Sequence, residues 1–164
     1  MKFNARIGCI SLAISLGGGV AEAQQAVKHI QTANSLIASA VWAGDTLYVS
    51  GTLPTAITPP DPAKGTPGVY GDTHTQALSA LQNVEKILKE QGLSMSDVVM
   101  MHTYLAGDPA NGGKLDFAGW NSAYSQYFGT KEQPNKPARS TFQVAALALP
   151  GGLVEVEVIA VRAK

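Results

Sequence analysis

A permanently charged side chain set into strand-like sequence is the tightest constraint on this chain. Pro137-Ala138-Arg139-Ser140-Thr141-Phe142-Gln143-Val144 reads as a strand that begins directly after a proline. It is answered by Leu153-Val154-Glu155-Val156-Glu157-Val158-Ile159-Ala160, an apolar β-run carrying two carboxylates. A short loop around Pro150-Gly151-Gly152 joins them, which predicts neighbouring strands with Arg139 on one and Glu155 on the next. Arg and Glu are costly to bury unless paired or liganded. The pair is therefore either a structural cross-strand ion pair or the polar centre of a site.

The remaining pattern supplies a scaffold. A short strand is expected around Val27 to Ile30. Ile37 to Trp42 and Thr46 to Gly51 flank Ala43-Gly44-Asp45 and read as a β-hairpin. Gly51 ends the second strand and permits a close backbone approach or a positive φ, or is an ordinary loop glycine. Residues 52–71 are rich in Pro and Gly and form a long loop with no phosphate-cradling pattern. Asp72 or Thr73 then caps a helix in which Ala77, Leu78, Leu81, Val84 and Leu88 recur at steps of three and four, and Gly92 stops it. Val98 to Leu105 is a strand nearly without charge, and His102 in it is either a base or a structural histidine satisfied by a neighbour. Leu115 to Phe128 gives a second helix with Phe117, Asn121, Tyr124 and Phe128 on one face. Asn121 is the polar exception on that stripe. It is either solvated or faces a ligand or backbone group. Two helices and five or six strands predict an α+β two-layer domain with helices on one face of a mostly antiparallel sheet. The uncovered apolar face favours self-association.

Residues 1–23 look unlike the rest. Lys2 and Arg6 precede an apolar run from Ile7 to Leu16, and Ala21-Glu22-Ala23 carries small residues where a signal peptidase cuts. A cleaved signal peptide is expected, leaving residues 24–164 as a single domain in the periplasm. Cys9, the sole cysteine, leaves with it, which excludes a cysteine nucleophile in the mature chain. Twelve basic residues balance twelve acidic ones, so the basic excess typical of a nucleic-acid binder is missing. No run of apolar residues is long enough for a membrane span, and no cluster has metal-ligand spacing.

At Pro137-Ala138-Arg139-Ser140, followed by Val154-Glu155-Val156-Glu157, the chain resembles the RidA (YjgF, endoribonuclease L-PSP) family. Val49-Ser50-Gly51, the Thr75-Gln76-Ala77-Leu78…Asn83-Val84 helix and Asn121-x-x-Tyr124-x-x-Tyr127-Phe128 extend the resemblance from about Ser39 to the C-terminus. It implies a chorismate-mutase-like α+β fold, a homotrimer with clefts between subunits, and hydrolysis of enamine/imine acids to 2-keto acids and ammonia without any cofactor.

The residues suit that chemistry. Arg139 offers a planar fork for an α-carboxylate. Glu155 can orient or deprotonate the attacking water. The backbone of Gly51 and of Thr141 can hydrogen-bond the imine nitrogen or the water, and Asn121 resembles the asparagine lining the family's cleft. Ile37 stands where active members usually carry a tyrosine, and Thr141 where many carry a cysteine. The loops at 52–71, 106–114 and 145–149 look longer than in compact members. The expected partner is a small carboxylate-bearing imine or keto acid. The alternative is a non-catalytic periplasmic protein that binds a small carboxylate metabolite.

Overall fold

Alternation of apolar residues decides which side of each strand is covered. The computed structural model describes residues 26–163; the expected signal segment lies outside them. Six strands form, β1 (Val27–Ile30), β2 (Ala40–Ala43), β3 (Thr46–Thr52), β4 (Val98–Ala106), β5 (Ala138–Val144) and β6 (Val154–Val161). Two helices accompany them, α1 (Thr73–Glu90) and α2 (Phe117–Tyr124). The strands make one mixed sheet in the order β1-β2-β3-β6-β4-β5, with β4 and β5 parallel and every other pair antiparallel. The helices cover one face, giving the expected α+β two-layer arrangement.

The covered face carries Leu47 and Val49 of β3, Met101, Thr103 and Leu105 of β4, and Val154, Val156 and Val158 of β6, all buried. Helix α1 packs on β3 and β6, and α2 packs beside α1. The α1 face in contact is the expected one, with Ala77, Ala80, Leu81, Val84 and Leu88 fully buried. Asp72 is its N-cap, accepting from the Thr75 backbone N–H at 2.8 Å. Gly92 takes φ +73° after the last turn, a left-handed conformation that glycine adopts without strain.

Two expectations change. Helix α2 is shorter than the aromatic stripe suggests. Asp116 caps it and Gly119 donates to that cap at 2.8 Å. After Tyr124 the chain continues as hydrogen-bonded turns to Phe128, whose ring stacks on Tyr124 at 4.9 Å. The aromatic face thus outlasts the helix. The second change concerns β5 and β6, which are not neighbours. β4 lies between them and pairs with both. A parallel β4–β5 pair needs a crossover, and α2 supplies it.

The long loop is tied down at its ends and has order of its own. Thr58 pairs with Val69 and Asp61 with Thr66. Asn83 of α1 donates to Leu53 O at 2.9 Å. Gln76, 1% exposed, donates to Gly71 O and Gly151 O at 3.0 and 3.1 Å and accepts from Leu153 N–H at 2.7 Å. One buried amide therefore joins the helix start to the connections before α1 and before β6. Gln76→Leu strands three backbone groups, each left without its partner at a cost of roughly 1–3 kcal/mol. The expected result is a loss of about 3 kcal/mol by urea titration of the purified protein.

Candidate functional site

Arg139 lies on β5 opposite Met101 of β4. Its side chain takes the helix-facing side and meets α2. Nη2 donates to Asn121 Oδ1 at 2.9 Å. The guanidinium carbon sits 4.2 Å from the Tyr124 ring centroid, 5.8 Å from that of Trp120 and 5.9 Å from that of Phe117. Asn121 is thus the residue that orients the guanidinium, which resolves why a polar side chain interrupts the aromatic stripe. Helical spacing makes this possible, because Phe117, Trp120, Asn121 and Tyr124 fall within two turns on adjoining faces. Among the described residues no carboxylate makes an ion pair with Arg139. Burial pushes the Tyr124 hydroxyl above its ordinary range, against the opposing pull of Arg139.

The buried side-chain polar atoms left without a partner among the described residues gather at this place. They are Arg139 Nη1, Thr141 Oγ1, Thr103 Oγ1 and Trp120 Nε1. Thr103 and Thr141 are register partners on β4 and β5, and Arg139 precedes Thr141 by two residues on the same side of its strand. An unmade hydrogen bond at a buried donor is costly. Unsatisfied donors clustered around a cation describe a seat for an anionic group with several acceptor oxygens.

Glu155 is elsewhere. It lies on β6 among residues whose side chains leave the opposite, open face of the sheet, as the buried Val154 and Val156 on either side of it require. Within one chain Arg139 and Glu155 are therefore separated by the sheet itself and by β4. The expected adjacent-strand pair, and with it the structural ion pair, does not form. The carboxylate of Glu155 instead covers Gly51. A Cβ built on Gly51 would overlap Glu155 Oε1. Gly51 sits where the β3–β6 register shifts between Val49 and Thr52, a bulge that bends the strand and brings its backbone under the carboxylate. Its φ is not positive, so close approach is the reason for glycine here.

Glu155 has its pKa raised, first by burial and then by the charge of Glu157. Glu157 itself accepts from His102 Nδ1 at 2.7 Å and from the Tyr104 hydroxyl at 3.3 Å. His102 is thus satisfied by a neighbour. Burial raises the Tyr104 hydroxyl, with Glu157 adding to it. A carboxylate with a raised folded pKa holds its proton more tightly when folded than when unfolded. Its ionisation then costs stability, absent below the unfolded pKa and fully present above the folded one. Glu155→Gln removes that cost. Thermal melts should show the variant above the parent at neutral pH, with the gap closing below about pH 4.

Ile37 is exposed and lies beside Gly51 on the wall of a cavity of about 540 Å³ between the 30–39 segment, the end of β3 and α1. The structure therefore groups the six candidate residues in two sets. Arg139, Asn121 and Thr141 share the helix side near β5, while Gly51, Glu155 and Ile37 cluster around the end of β3. Sequence reasoning missed Trp120 and Tyr124 as walls of the guanidinium and Thr103 as a free hydroxyl. Helical spacing from Asn121 could have found the first two. Thr103 carries no local signal, because its role depends on the neighbouring strand.

Comparisons with known proteins agree with this fold. A 2-iminobutanoate/2-iminopropanoate deaminase of Capra hircus is 40% identical over 123 residues, covering 75% of this chain and 77% of that protein. A RutC family protein of Haemophilus influenzae is 36% identical over 123 residues, covering 75% and 84% of the two chains. The solved structure of E. coli TdcF with bound serine is 31% identical and superposes with a TM-score of 0.63, covering 83% of this chain and 99% of that one. The model of the Endoribonuclease L-PSP family matches residues 26–162, and this chain, with its two helices on a six-stranded mixed sheet, belongs to that family, the RidA/YjgF group.

Proposed function

We propose that this protein is an imine/enamine deaminase, working in clefts between copies of the chain in a homotrimer. The observation that carries the reading is the Arg139 fork, held by Asn121 and walled by aromatic rings, with Nη1 unpartnered beside the free hydroxyls of Thr141 and Thr103. An α-carboxylate matches that fork in shape and charge. The relatives named 2-iminobutanoate/2-iminopropanoate deaminase support the reaction class.

The reaction adds water across the C=N bond of a 2-imino acid. The tetrahedral carbon then expels ammonia and leaves a 2-keto acid. An enamine enters after its β-carbon takes a proton, which gives the imine. Arg139 fixes the carboxylate and so the position of the imine carbon. Glu155 takes a proton from the water and returns it to the departing nitrogen. Its raised pKa suits both duties, since a carboxyl closer to neutrality exchanges protons more readily. The Gly51 backbone, directly beneath that carboxylate, is free of a side chain that would exclude water.

Support for an inter-chain cleft comes from the faces the two sets occupy. Arg139 belongs to an edge strand, and Glu155 to the open face, so one chain cannot bring both to a single ligand. A second copy contributing Gly51, Glu155 and Ile37 opposite the first copy's Arg139 completes the set. Exposed Tyr48 and Phe142 on the open face provide apolar surface for such packing. A leader cut after Ala23 would put this assembly in the periplasm, and N-terminal sequencing of the mature protein tests that.

The test is ammonia release from 2-imino acids generated in place by an amino-acid oxidase, read above the spontaneous rate, alongside sedimentation analysis. A trimer that accelerates release supports the reading. A folded trimer that accelerates none overturns it and leaves the carboxylate-binding reading, which the absence of a hydroxyl at Ile37 favours.

A further inference from the structure

Glu155 does not stand alone on the open face of the sheet. Glu157 follows it by two residues on the same face of β6, so the two carboxylates project about 7 Å apart along the strand. Strand β4 runs antiparallel beside them, with Tyr104 opposite Glu155 and His102 opposite Glu157. His102 Nδ1 meets Glu157 Oε1 at 2.7 Å, and the Tyr104 hydroxyl donates to the same oxygen at 3.3 Å. An ionised carboxylate only accepts, so Nδ1 carries a proton. Two donors thus hold Glu157 against β4 and fix its distance from Glu155. His102 is the diagonal neighbour of Glu155 across the ladder, about 7–8 Å away. A charge on Glu157 and a charge on His102 therefore act on Glu155 over nearly the same distance. The side chains of His102 and Glu157 are 33% and 39% exposed, and a cavity of about 260 Å³ touches both, so solvent protons reach the imidazole.

We propose that the His102–Glu157 pair is a tuning element of the reaction, a switchable counter-charge that keeps Glu155 able to take a proton from water further into the acid range. The duty of Glu155 rests on the deaminase reading, while the electrostatics rest on the ladder geometry. Beside a neutral imidazole, Glu157 adds its negative charge to burial in opposing the ionisation of Glu155. Histidines ordinarily gain their second ring proton between about pH 8 and 5. Once His102 is a cation, the pair is neutral overall and the repulsion from Glu157 is cancelled. That happens as the pH falls toward the range where a carboxyl begins to hold its proton. The other titratable groups on this face do not intervene. Tyr104 and Tyr48, the latter on β3, are phenols, which ordinarily carry no charge below about pH 9. His29 on β1 lies three strands from β6, roughly 14 Å, beyond a screening length of about 8 Å. Strands β2 and β5 bring no titratable side chain to this face. Arg139 of a second copy, across the proposed cleft, is a guanidinium and so a constant cation in every variant.

The experiment follows the Glu155 side-chain carboxyl carbon by NMR across pH in the intact protein, identified by its loss in Glu155→Gln. In parallel it records the pH profile of kcat/KM for the imine made from alanine by an amino-acid oxidase. His102→Asn keeps a donor where Nδ1 stands and removes the charge. Glu157→Gln removes the opposite charge at nearly constant shape. His102→Asn should raise the Glu155 midpoint and the acid limb of the profile together by about 0.5–1 pH unit, the effect of one screened charge at that distance. Glu157→Gln should lower both by a similar amount. The double variant, neutral like the protonated pair, should return to within about 0.3 unit of the parent. Opposite signs with recovery in the double variant are a charge effect, which a merely structural role would not produce. Midpoints that stay in place in both single variants, or move in the same direction, overturn the proposal. So does a carboxyl midpoint that moves while the acid limb stays, because Glu155 then does not set that limb. A folded assembly that hydrolyses no imine, with its carboxyl midpoints moving as expected, overturns the deaminase reading and leaves the counter-charge standing.

Discussion

Arg139→Ala should lower kcat/KM for imine hydrolysis by roughly 30- to 3000-fold. Removing one member of a buried, hydrogen-bonded charge pair costs about 2–5 kcal/mol, and each 1.4 kcal/mol is about a factor of ten. The substrate carboxylate would lose its counter-charge inside a pocket walled by Tyr124, Trp120 and Phe117, where little water can replace it. Arg139→Lys should recover little, since an ammonium cannot present two parallel donors while a third contact goes to Asn121. Stability should respond differently. The guanidinium stacks on Tyr124 at 4.2 Å, and a desolvated contact of that kind contributes about 2 kcal/mol. Against this, the variant no longer buries an unpartnered Nη1. The thermal midpoint should therefore move far less than the activity. Steady-state kinetics and a melt on the same preparation check the two halves, and a collapse of the fold with Arg139→Ala would show the residue to be chiefly structural.

Gly51→Ala should lower activity by about a hundredfold with the fold intact. The added methyl needs the space held by Glu155 Oε1. The atom displaced is the end of a flexible side chain, so the carboxylate swings away and the backbone stays. Misplacing a general base forfeits a contribution of typically 10²–10⁴. Because φ at Gly51 is not positive, alanine adds no backbone strain. KM should change less than kcat, since the carboxylate anchor is untouched. A variant as active as the parent would remove Glu155 from the reaction.

How far the sequence could be read differs from one element to the next. Helix α1 and its cap were legible, because Asp72, the three-and-four spacing and Gly92 are all local signals. Strand β1 also falls where expected, at Val27–Ile30. Helix α2 was legible as an aromatic stripe but not in its length, since aromatic packing continues through turns that are not helical. Gly51 left close approach, a positive φ and an ordinary loop glycine all open, and the approaching group was not legible. That group arrives from a strand about a hundred residues away. His102 looked like a residue satisfied by a neighbour, and Glu157 on the adjoining strand is that neighbour.

What the sequence by itself determined is the list of elements and the identity of the anomalous residues. Arg139 stands out because a guanidinium in strand-like sequence demands a partner, whatever the topology. Only the tertiary structure decided which partner. Reading β5 and β6 as a hairpin placed Glu155 beside Arg139. Interior places in the sheet go instead to β6 and β4, whose Val154, Val156, Val158, Met101 and Leu105 are the residues α1 and the helix layer can bury. The crossover through α2 then leaves β5 at the edge, parallel to β4. Periodicity encodes which face a residue takes relative to its own strand. It does not encode which strand lies next, because that is settled by burial summed over the whole sheet. Hence Arg139 turns to Asn121 and Tyr124 on the helix side, and Glu155 turns to the open face over Gly51.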